Sequence, residues 1–232
     1  MSSIFHNSRD DDKGKISKKG SEEYEKKINI LLEESLLEIE KIRTYLERNH
    51  DSDIFRDVLV RLSSLIDFFF SEIMKYIVPT IFRNSTNLPS EWNAFEVPMK
   101  DIRRIVDDWD TEDLGGKWIE DAYYNSYYEN SNQALRNIKK VFALIKNNCF
   151  KDFVNKHEST IKKNLDDNKL SISQMISNLY KKRNVIVHSY DYRQNKFPKR
   201  NTINKDYLLK NLDFFNELFI NVSEYITLEL AS

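Results

Sequence analysis

Cysteine occurs once in the 232 residues, at Cys149, so no intramolecular disulfide can form and nothing points to an oxidising compartment. Glycine and proline are scarce as well, with four of each, against average usage of about 7% and 5%. Sandwiches, barrels and glycine-rich phosphate loops need these residues at their turns, so those architectures are disfavoured and long helices are favoured. Long apolar runs are also missing. The most apolar stretch, Leu62 to Ile81, is interrupted by Asp67, Glu72 and Lys75, and no segment is expected to span a bilayer. Residues 1–20 carry no apolar run, which argues against a secretory signal, and a cytoplasmic location is expected.

An excess of one charge is absent too. Thirty-six basic and 37 acidic residues leave a net charge of -1, so the whole chain lacks the footprint of a strongly basic nucleic-acid binder. What is present is 40% hydrophobic and 31% charged residues, a balance that suits one large helical domain.

The charged segment 1–20 reads as a flexible tail, and residues 21–232 as a single helical domain. Ser21 has the character of an N-cap, followed by Glu22 and Glu23. Ile28, Leu32, Ser35, Ile39, Ile42 and Leu46 then recur at steps of three and four, which predicts a first amphipathic helix. A second helix is predicted from Asp53 to Phe82 on the stripe Phe55, Leu59, Leu62, Ile66, Phe69, Ile73 and Ile77, with Pro79 ending or kinking it. Residues 84–116 read as an insertion of loop and short helix, with a loop through Pro89 and Pro98, a helix at Lys100 to Trp109 and a break at Gly115-Gly116. A third helical region runs from Trp118 to Asn147. The tyrosines of its first half, Tyr123, Tyr124, Tyr127 and Tyr128, suit packing at a helix boundary better than base stacking. Helices from Phe150 to Asn164, Ser171 to Tyr190 and Ile203 to Leu228 complete an all-α bundle.

Several chemistries lack their residues. The histidines at 6, 50, 157 and 188 never pair at i, i+4, and one cysteine cannot build a zinc cluster, so no metal and no cofactor are expected. Cys149, between Asn148 and Phe150, reads as a buried thiol rather than a nucleophile.

One segment stands apart, Lys181-Lys182-Arg183-Asn184-Val185-Ile186-Val187-His188-Ser189-Tyr190. At about 100° per residue, Ile172, Met175, Ile176, Leu179 and Ile186 form one stripe, and Arg183 and Tyr190 fall inside it. A guanidinium on an apolar face must be paired or line a crevice, because an unpaired buried charge costs several kcal/mol. Asp67 is the candidate partner for such an ion pair. Asn184 and His188 share a face about 100° round from Arg183, so a groove holding Arg and His calls for a distorted helix end or a second copy. Between Lys181 and Arg200 lie seven basic residues and one acid, Asp191, which is either a solvated basic loop or the footprint of a polyanion partner.

Arg183-Asn184-x-x-x-His188 resembles the Arg-x4-6-His signature of the HEPN superfamily, helical and mostly prokaryotic ribonucleases and toxins. With Tyr190 it also resembles the Arg-x4-His-x-Tyr form of the toxins paired with nucleotidyltransferases. The resemblance covers eight residues and a layout of helices. It implies an HEPN-like bundle and metal-independent RNA cleavage by 2'-hydroxyl attack, acting as a toxin or antiviral effector. Under it, His188 is the general acid/base, Arg183 the phosphate stabiliser and Asn184 a positioning hydrogen-bonder, with Asp67 in support and Lys181, Lys182 and Arg193 guiding RNA. The implied partners are RNA, a second copy that completes the site, and a neutralising antitoxin or a larger defence complex. Tyr190 matches the position that a nucleotidyltransferase modifies with AMP, although its place on the apolar stripe also suits core packing. The alternative is a non-catalytic HEPN-like subunit that binds RNA or nucleotide, or supplies a dimerising surface.

Overall fold

Six helices carry the described part of the chain, and the apolar stripes of the sequence decide how they lie. The computed structural model describes residues 18–84, 89–90, 134–163, 170–189 and 202–231. Among these residues every regular element is an α-helix: α1 Lys18–Glu47, α2 Ser52–Asn84, α3 Ala134–Ile145, α4 Cys149–Ile161, α5 Ile172–Ser189 and α6 Lys205–Ala231. The expected all-α class is therefore the one the chain adopts.

α1 and α2 form an antiparallel hairpin across a short turn, where the Asp51 carboxylate accepts the Asp53 backbone N–H at 2.8 Å and so caps α2. α1 begins three residues before the expected boundary, and Ser21 lies inside it rather than capping it. Lys18 and Lys19 are good helix formers, and the helix continues over Gly20, a poor one, into Ser21. All seven predicted stripe residues of α2 are buried. The helix also continues through Pro79 to Asn84, and Ile81 is still buried one turn beyond Ile77. That apolar contact offsets the backbone hydrogen bond that proline cannot make.

α6 runs antiparallel to α1. Lys205 Nζ donates to the Glu47 carbonyl at 2.8 Å at one end, and Arg43 pairs with Asp213 at 2.6 Å further along. The Asn204 side chain caps α6 by accepting the Tyr207 N–H at 2.8 Å. α2 and α6 meet in the core, where Phe69 stacks on Phe219 with ring centroids 4.0 Å apart. α2 also packs against α3 and α5.

The link between α3 and α4 is tight. Asn148 takes the left-handed conformation at φ 62°, which asparagine tolerates better than most residues. Its neighbour Asn147 accepts hydrogen bonds from the backbone N–H and hydroxyl of Ser90. α4 then packs antiparallel on α6. No described helix is long and apolar enough to cross a membrane. The predicted short helix at Lys100 to Trp109, the Gly115-Gly116 break and the tyrosines from Tyr123 to Tyr128 lie outside the described residues.

Candidate functional site

α5 carries the segment that the sequence singled out, and its start is firmly built. Ser171 and Gln174 form a capping box: the Ser171 hydroxyl accepts the Gln174 N–H at 3.2 Å, and the Gln174 side-chain oxygen accepts the Ser171 N–H at 2.8 Å. The Glu158 carboxylate of α4 accepts the Ile172 N–H at 3.4 Å and ties the two helices together. From there Ile172, Ile176 and Leu179 enter the core, with Met175 and Ile186 partly buried against it. The helix is continuous to Ser189, so it reaches past position 188.

Arg183 is half-buried on the apolar side of this helix, as the rotation of the stripe implies. Its buried Nε has no hydrogen-bond partner, and it makes no ion pair among the described residues. The expected pair with Asp67 is not formed. Instead, Arg183 Nη1 donates to the side-chain oxygen of its neighbour Asn184 at 3.0 Å. That bond carries the end of the guanidinium round toward the face of Asn184, one turn before position 188. A long side chain thus narrows the angular gap that separates the two positions on the helix, with no break in the helix itself.

Asp67, from α2, turns to a different partner. Tyr180, buried at 6% exposure, places its hydroxyl 2.8 Å from the Asp67 carboxylate and 3.2 Å from the Ser63 carbonyl. Burial pushes the Asp67 carboxyl up to about 6, against the opposing influences of the Tyr180 hydrogen bond and the Arg183 charge. Asp67 is therefore a carboxyl that exchanges its proton near pH 6, neutral below and ionised above, and the donor that meets it is Tyr180 rather than Arg183.

The lysines differ from each other. Lys181 is exposed on α5, whereas Lys182 sits over the ring of Tyr207 on α6 with its ammonium 3.7 Å from the centroid. Burial holds the Tyr207 hydroxyl up at about 12, so the ring that faces this cation is a neutral phenol. The backbone of His188 belongs to α5; its side chain, together with Tyr190 and Arg193, lies outside the described residues. No family model matches the chain, and no curated protein or solved structure is significantly similar to it.

Elsewhere the chemistry-bearing residues have structural surroundings. Cys149 is fully buried beside the Tyr225 hydroxyl at 3.7 Å, and burial pushes its thiol up to about 11, far from a reactive thiolate. His157 lies between Phe153 and Tyr225, and its Nδ1 is 2.8 Å from the side-chain oxygen of Asn221. The Asn221 amide nitrogen donates to the Glu217 carbonyl, so the oxygen that faces His157 accepts from Nδ1–H. Among the described residues, no group of three or more His, Cys, Asp or Glu is arranged to hold a metal.

Tyr180 is the residue that the sequence did not disclose. It lies on the flank of the α5 stripe, where an aromatic reads as packing, and its partners are more than a hundred positions away in the chain.

Proposed function

We propose that this chain is a metal-independent endoribonuclease of the HEPN type, acting as a toxin or antiviral effector. The single observation that carries the reading is the state of Arg183, a half-buried guanidinium bound to Asn184, with a buried Nε that has no partner and no carboxylate paired to it among the described residues. A structural arginine in that position needs an anion within the fold. One that is to receive a phosphate needs to be free of an internal ion pair, and among the described residues Arg183 makes none.

In this reading the RNA phosphodiester lies against Arg183, with Asn184 holding the guanidinium in register. His188 takes the proton of the ribose 2'-hydroxyl, whose oxygen bonds to phosphorus while the bond to the 5'-oxygen breaks. An imidazolium, on this or a second copy, returns a proton to the departing oxygen, leaving a cyclic phosphate and a 5'-hydroxyl. Histidine suits this exchange because its ordinary pKa is near neutrality. Lys181 and Arg193 steer the backbone, Lys182 does so from its seat on Tyr207, and Tyr190 is the position at which adenylylation silences the site.

The test is incubation of purified wild type and His188→Ala with total RNA in excess EDTA. Wild type is expected to cleave, and the variant to lose about a hundredfold or more of the rate. Cleavage abolished by chelator, or equal in the variant, contradicts the proposal. Salt-sensitive binding without products points to the non-catalytic RNA-binding subunit instead.

A further inference from the structure

We infer that Tyr180 and Asp67 are positioning residues for Arg183: one proton held between them decides whether the guanidinium is left to a phosphate or drawn back onto the carboxylate. The inference rests on the proposed function for what Arg183 receives, but the proton exchange itself stands on the contacts of Tyr180 with Asp67 and Ser63 and on the unpartnered Arg183 Nε.

A phenol has one hydrogen. The Tyr180 hydroxyl nevertheless lies within hydrogen-bond distance of two acceptors, the Asp67 carboxylate at 2.8 Å and the Ser63 carbonyl at 3.2 Å. When Asp67 is ionised, the one hydrogen serves the carboxylate and the Ser63 carbonyl goes without it. When Asp67 is protonated, both contacts are hydrogen bonds: the Asp67 O–H donates to the Tyr180 oxygen, and the Tyr180 O–H donates to the Ser63 carbonyl. The two states differ by one proton and the rotation of one hydroxyl, while the buried ring stays where it is. Burial favours the neutral state and brings the exchange close to pH 6.

Arg183 is the cation that reads this state. Of the helices packed on α2, α5 brings Tyr180 and Arg183 to bear on Asp67; no charged group of α1, α3 or α6 shifts it among the described residues. Above the exchange, Asp67 offers the buried and unpartnered Arg183 Nε a carboxylate, and the guanidinium retracts. Below it, the charge of Arg183 is uncompensated. A phosphodiester keeps its own charge throughout this range, so its hold on Arg183 follows the proton on Asp67.

The experiment reads Arg183 directly in RNA-free protein. The 15N-resolved Nε–H signal of Arg183, assigned by its loss in Arg183→Lys, is followed from about pH 4 to 8, a range that brackets the exchange. It is expected to titrate near pH 6 in wild type, to stay flat in Asp67→Asn, and to move to higher pH in Tyr180→Phe, where the carboxylate loses its donor. A signal that does not titrate, or that titrates unchanged in Asp67→Asn, overturns the inference whatever the protein does to RNA. A second arm measures binding of a 2'-O-methyl RNA oligonucleotide in a His188→Ala background, which removes the histidine titration. Affinity is expected to fall about tenfold across the exchange, and not to fall once Asp67→Asn is added. An Arg183 signal that switches without RNA being bound at any pH leaves the switch standing and removes the ribonuclease reading.

Discussion

The Arg183 charge bears on Asp67 although the two do not pair, and each residue makes a measurable prediction. The folded carboxyl of Asp67 titrates near 6, against an ordinary value of 3.8, so between these values the native state holds a proton that the unfolded chain has lost. Stability from this residue is therefore greatest at low pH, falls as pH rises from about 4 to about 6 and is level above, by at most roughly 3 kcal/mol. Urea unfolding across that range should show the slope in wild type but not in Asp67→Asn, which should be the more stable protein at neutral pH. Equal slopes in both contradict the assignment. Below the Asp67 exchange, at about pH 5, Arg183→Ala should cost less than about 1 kcal/mol, because no ion pair is broken there, whereas removing one partner of a buried pair costs about 3 to 5 kcal/mol. A loss of the larger size would show that Arg183 is a structural residue. The sequence placed Arg183 on the apolar face correctly, but it could not show that Asp67 prefers Tyr180, because that choice depends on how α5 is rotated against α2.

The helices were the most legible part of the chain. α2 shows why: seven apolar residues at strict helical spacing, with charges only between them, admit one buried face, and all seven are buried. The ends of helices were less legible, since a cap is a local hydrogen bond that competes with the helical tendency of its neighbours. Ser21 has a suitable side chain but is overrun by α1, whereas Ser171 caps α5 with the help of Gln174 three residues on. Ser171→Ala should therefore lower stability by about 1 kcal/mol, measured by thermal unfolding. No change on substitution would mean that the Glu158 contact alone holds the start of α5. Pro79 taught the same lesson from the other side, because tertiary packing of Ile81 carried α2 past a residue that usually stops a helix.

Across the whole molecule the charges almost cancel, yet the basic residues are not spread evenly. Seven of them fall between Lys181 and Arg200, next to the Arg183 and Asn184 pair. The scarcity of glycine bears on the proposed function: with no glycine-rich loop in the sequence, a phosphate would be held by side chains, and among the described residues Arg183 of α5 is the one proposed for that task. Under the proposed function, RNA is cleaved at this helix without a metal, by the 2'-hydroxyl of the RNA itself. The most direct measurement is the chemistry of the ends left on a defined oligoribonucleotide digested in excess EDTA. A cyclic phosphate on one fragment and a 5'-hydroxyl on the other are expected, with no cut where the ribose at the scissile position is replaced by deoxyribose. Fragments ending in a 3'-hydroxyl and a 5'-phosphate, or a cut that persists at the deoxyribose, would contradict it.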